Sequence, residues 1–132
     1  MSNTKQKFNV NYADKATFKN GLRDFLEYRD LGISEASNGA YKAHVLRVKK
    51  DSHGDQDMHT TGFHRHMVDF QMYYVLNGWV KFMYEGEGEL TFRKGDCVLA
   101  PAEIRHNELS CSDDFEALEI LSPAVHETVK VQ

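Results

Sequence analysis

His64 and His66 form a His-x-His pair, Gln71 follows five positions later, and His106 stands in a matching place on a later apolar stretch. Neutral imidazoles and an amide oxygen suit a borderline divalent ion such as Zn, Ni, Fe, Mn or Cu, with one or two positions left for water or substrate. With no carboxylate in the set, the ion keeps its full double charge. That strengthens it as a Lewis acid and favours an anionic or chelating substrate. The same neutrality weakens the hold on the ion, so a labile metal is expected, lost on acidification through about pH 6 as the imidazoles protonate. The competing reading makes these ordinary strand histidines on a wet face.

Two further side chains invite chemistry. Glu119 is the one charge in the otherwise apolar Leu118-Glu119-Ile120-Leu121. Facing inward it would be a general base beside a metal; facing outward it would pair with a surface cation. Tyr73 shares the parity of Gln71 and either lines the pocket or packs. His44 and Arg47 fall on opposite faces of one stretch, and whichever looks inward reaches a ligand. His53 and His59 lie in a polar run, Lys49 to Thr61, and read as solvated loop histidines in preference to extra ligands.

Strands must position these groups. Residues two apart on a strand share a face, so His64 and His66 project together, with Cα atoms about 7 Å apart. Gln71 is an odd number of residues beyond His66, so a turn or bulge at Met67-Val68-Asp69 must re-aim it. After that break Gln71, Tyr73 and Val75 share one face and Met72, Tyr74 and Leu76 the other. Both are largely apolar, which suits a closed barrel or a sandwich. Asn77-Gly78 then predicts a hairpin into Trp79–Tyr84.

Further strands are predicted at Ala40–Val48, Leu90–Phe92, Cys97–Ala100, His106–Cys111 and Phe115–Leu121, separated by Gly, Asp and Pro turns. Asp14 could cap a short helix carrying Phe18, Leu22, Phe25 and Leu26, although Gly21 weakens it. Residues 25–33 either continue that helix or form a first strand. The pattern predicts an all-β antiparallel double-sheet jelly roll with a short N-terminal helix. We divide it into an N-terminal extension over residues 1–38, a barrel over 39–126 and a tail over 127–132.

A chain of 132 residues fits one domain, and a formal charge of −4 without a basic cluster gives no footprint for nucleic acid. No apolar run reaches the ~18 residues needed to cross a bilayer, and residues 1–7 lack a signal-peptide core, so a cytoplasmic protein with no membrane partner is expected. Cys97 and Cys111 are too far apart for a zinc knuckle and read as small buried side chains.

These motifs resemble the cupin family, whose first motif runs Gly-x5-His-x-His-x3-4-Glu-x6-Gly and whose second runs Gly-x5-Pro-x-Gly-x2-His-x3-Asn. His64, His66 and Gly78 match the first, with Gln71 in the glutamate place; Gly95, Pro101 and His106 match the second. Met58, Glu103 and Ser110 replace the leading Gly, the Gly after Pro101 and the closing Asn. The resemblance implies a double-stranded β-helix, a metal on His64, His66, Gln71 and His106, a small-molecule substrate and a homodimer. The set is also similar to small cupins that open unsaturated uronates, in which the last strand carries an Asp and an Arg follows; here those places hold Glu119 and Val125. Three functions stay open: a metal-dependent isomerase or lyase acting on a carboxylate or sugar acid, a three-histidine iron dioxygenase, and a non-catalytic sensor.

Overall fold

The computed structural model describes residues 5–21, 25–49, 64–125 and 128–130, with the backbone alone for His64 and 128–130. Within them lie β1 (Lys19–Asn20), β2 (Leu26–Asp30), β3 (Lys42–Val48), β4 (His64–His66), β5 (Phe70–Asn77), β6 (Trp79–Tyr84), β7 (Gly88–Arg93), β8 (Cys97–Leu99), β9 (His106–Cys111), β10 (Glu116–Ser122) and β11 (Thr128–Lys130). A 3-10 turn occupies Ala13–Lys15, and a single helical turn, α1, spans Ile33–Ala36.

The strands form two antiparallel sheets, ordered β1-β2-β3-β10-β5-β8 and β11-β4-β9-β6-β7. The expected all-β jelly roll is therefore present. The break expected between His66 and Gln71 is present too, and it carries the chain from one sheet to the other. The alternation that drives this is plain on β10, where Ala117, Glu119 and Leu121 are buried, and on β5, where Gln71, Tyr73 and Val75 are buried. Leu46, Val48, Val75, Val80, Cys111, Phe115 and Ala117 belong to one core cluster. Phe82 bridges the sheets, with its ring 5.6 Å from Tyr73 and 6.3 Å from His106.

Four expectations are corrected. The sheets do not close into a barrel: among the described residues no strand ladder joins them. The outer face of β5 is correspondingly not covered, since Tyr74 is 41% and Leu76 36% exposed. Asn77-Gly78 is not a hairpin, because β5 and β6 lie in different sheets. Gly78 instead turns a corner between sheets at φ +68, where a Cβ would lie 2.9 Å from Phe115 Cα. Only glycine combines that backbone with that approach.

The short N-terminal helix expected from Asp14 is present as the 3-10 turn at Ala13–Lys15, but it does not run on to Leu26: β1 follows it, and Leu26 begins β2 rather than ending a helical stripe. Pairing of Leu26, Tyr28 and Asp30 with Val48, Leu46 and His44 outweighs a helical spacing that Gly21 already weakened. Finally, Cys97 is exposed because β8 is an edge strand, whereas Cys111 is buried; both are free thiols.

Candidate functional site

One row of the larger sheet sets the site. In register, Asp30 lies opposite His44, His44 opposite Glu119, Glu119 opposite Tyr73, and Tyr73 opposite Val98. The adjacent row runs Lys42, Leu121, Gln71. Because cross-strand neighbours point the same way, the alternation that buries Leu121 and Val75 also turns His44, Glu119, Tyr73 and Gln71 inward. A cavity of about 800 Å3 opens there, lined by Tyr28, Lys42, His44, Tyr73 and Glu119 from this sheet and by His66, Phe82 and Glu108 from the other.

Glu119 is buried and fully engaged. His44 Nε2 lies 2.6 Å from Oε1, and the Gln71 amide nitrogen donates to Oε2 at 2.8 Å and to the Tyr73 hydroxyl at 3.1 Å. A carboxylate only accepts, so it is the NH2 half of Gln71 that must face it. Burial by itself pushes the Glu119 carboxyl up, but the hydrogen bond and charge of His44, with hydrogen bonds from Gln71 and Tyr73, outweigh it and hold the group at about 2. It is an anion at any working pH. Burial, and then the negative charge of Glu119, raise the Tyr73 phenol well above its ordinary range, so Tyr73 stays protonated and donates to Glu119. Burial and Glu108 raise Tyr84 likewise.

The smaller sheet carries the histidines. His66 and His106 are both buried, with ring centroids 5.1 Å apart, and the His64 backbone pairs with that of His106. The His64 side chain lies outside what is described. His106 Nδ1 faces the Ile104 carbonyl at 3.2 Å; that nitrogen must carry the proton, which makes Nε2 the lone-pair atom. Tyr84 at 5.7 Å packs against the ring. Among the described side chains no three His, Cys, Asp or Glu gather as a metal cluster. The donor chemistry nevertheless fits a cation. Two inward imidazoles converge, one of them in a fixed tautomer, and Gln71 spends its amide nitrogen on Glu119, which leaves its carbonyl oxygen as the half suited to an ion.

The expected residues thus divide into two groups, His66 with His106 on the smaller sheet and Gln71, Tyr73 and Glu119 on the larger. Of the pair left open on β3, His44 faces in. Arg47 faces out, 2.8 Å from Glu27 and 3.5 Å above the Phe18 ring. Val125 lines the cavity rim without offering a charge. His53 and His59 lie outside the described residues. Glu108 was not anticipated, although its parity with His106 on one strand was the available signal. Glu103 keeps φ +61, so the residue in the place of the family's glycine adopts a glycine-like backbone.

The Cupin domain model matches residues 56–121, half of the chain. No curated protein matches it in sequence. Among solved structures, an RmlC-like cupin from Shewanella frigidimarina NCIMB 400 aligns at 17% identity over 91% of this chain and 95% of its own, with a TM-score of 0.63. KdgF from Halomonas sp. aligns at 18% identity over 89% and 94%, with a TM-score of 0.58. The polyketide cyclase RemF from Streptomyces resistomycificus aligns at 11% identity over 96% and 87%, with a TM-score of 0.68. At these identities the likeness is one of fold. Matching family model, two-sheet topology and inward histidines agree, and the chain belongs to the cupin family.

Proposed function

We propose that this cupin is an enzyme that moves a proton on a small carboxylate or sugar-acid substrate, assisted by a divalent metal. The observation that carries the reading is the cavity itself: a buried, hydrogen-bonded carboxylate on one wall faces His66 on the other, and the His106 ring lies 5.1 Å from that of His66. The volume of about 800 Å3 lies in the range of small-molecule sites. Fold relatives that include a cyclase add support for catalysis on this scaffold.

His64, His66 and His106 would hold the ion with the Gln71 carbonyl oxygen. When bound, it supplies Lewis acidity to a carbonyl or enol oxygen. The protein's own groups do the rest. Phe82, Val80 and Phe115 line the cavity with apolar surface that limits water, which strengthens every charge interaction inside. His44 and Gln71 fix the two Glu119 oxygens, so that charge does not reorganise during reaction. Lys42 and Lys19 line the same space and offer positive charge to an anionic substrate.

Elemental analysis of protein prepared without a nickel column tests the metal, and a thermal-shift screen with uronates, keto acids and thiols tests the substrate class. About one divalent ion per chain and stabilisation by uronates or keto acids are expected. Metal-free protein that no acid stabilises would sink the proposal. For the assembly we propose a homodimer, supported by the apolar Tyr74, Leu76 and Leu99 exposed outside β5 and β8.

A further inference from the structure

We infer that His44 is the catalytic residue that exchanges a proton with the substrate, and that Glu119 is its positioning residue. This deepens the reading above and rests on it only for the presence of a carboxylate substrate in the cavity. His44 is 8% exposed, lines the cavity, and is fixed from several sides. Glu119 Oε1 holds Nε2 at 2.6 Å, the Tyr28 ring packs at 5.3 Å, and Asp30 stands opposite on β2. Tyr73 lies beyond Glu119 in the same row, Lys42 is two residues along on the same face, and Glu108 and His66 face the group across the cavity.

Glu119 is badly placed to be the base. Oε1 is occupied by His44 and Oε2 by Gln71, with the Tyr73 hydroxyl adding a third donor. The same occupation equips His44. A carboxylate can only accept, so Nε2 carries the proton, and in the neutral ring Nδ1 holds the lone pair, the acid–imidazole arrangement that orients a general base. The substrate this serves has an acidic C–H beside a carbonyl and a carboxylate that Lys42 can meet. Nδ1 takes the proton, the C–H electron pair moves onto the carbonyl oxygen as an enolate, and the imidazolium returns the proton to a second atom of the same molecule. Nothing is oxidised or reduced, and the enzyme ends as it began.

The network makes a specific prediction for Glu119→Gln. Gln71 donates to the atom at Oε2, so the new carboxamide must keep its oxygen there and turn its NH2 toward His44. His44 Nε2 must then accept, which moves the ring proton to Nδ1 and leaves no base for the substrate. Two-bond 1H–15N spectra should show the Nε2–H tautomer of His44 in wild type and the Nδ1–H tautomer in E119Q. Deuterium wash-in from D2O into pyruvate and galacturonate, followed by NMR, should fall about a thousandfold in both H44Q and E119Q, with metal content unchanged. Exchange in H44Q within tenfold of wild type, or a wild-type His44 protonated on Nδ1, overturns the assignment. Wild-type protein that exchanges these probes with no bound metal sinks the metal reading instead and leaves His44 standing.

Discussion

Replacing Glu119 by Gln should leave its mark on stability as a function of pH as well as on any activity. The side chain is nearly isosteric and every neighbour keeps a hydrogen-bond partner, so what is removed is the charge. A carboxyl held at about 2 in the folded chain, against 4.5 ordinarily, contributes stability that is fully present above pH 4.5 and lost as pH falls toward 2. At about 1.4 kcal/mol per pH unit, the whole contribution is about 3 kcal/mol, of which about 2 is gone by pH 3. Urea unfolding of metal-free protein in chelator, read through Trp79 fluorescence, would measure it. Wild type should exceed E119Q by about 3 kcal/mol at pH 7 and by about 1 kcal/mol at pH 3. A gap of the same size at both pH values would refute the picture of Glu119 as a buried anion stabilised by His44, Gln71 and Tyr73.

Other outcomes can be checked more simply. Bound metal measured after dialysis should be lower at pH 5 than at pH 8, because imidazoles ligate only when neutral, and His106→Ala should lower it at both. Gly78→Ala should cost about 2–4 kcal/mol in chemical denaturation, since φ is +68 and backbone stands 2.9 Å away, whereas Gly86→Ala, at φ +82 in open space, should cost about 1 kcal/mol. Glu103→Gly should be neutral or stabilising by up to about 1 kcal/mol, because it relieves a left-handed residue at φ +61. Leu99→Lys should shift sedimentation toward monomer without changing the far-ultraviolet dichroism, as Leu99 is 59% exposed on an edge strand.

The sequence by itself determined what local rules can carry. Alternation located β3, β5, β6, β9 and β10, the odd offset between His66 and Gln71 required the break that the chain does make, and the spacing of the histidines named the family. Local patterns failed where a choice depended on a distant partner. Asn77-Gly78 looks the same whether the next strand pairs beside β5 or crosses to the other sheet, and the packing of Phe115 against Gly78 goes with the crossing. The spacing of Phe18, Leu22, Phe25 and Leu26 is helical, but pairing of β2 with β3 took Leu26 into the sheet. On β3 both faces are apolar, with Ala43 and Val45 on one and Leu46 and Val48 on the other, so alternation could not say whether His44 or Arg47 turned inward. Only the register that sets Asp30, His44, Glu119 and Tyr73 abreast decided it, because neighbours in a sheet come from distant parts of the chain, His44 and Glu119 being 75 residues apart.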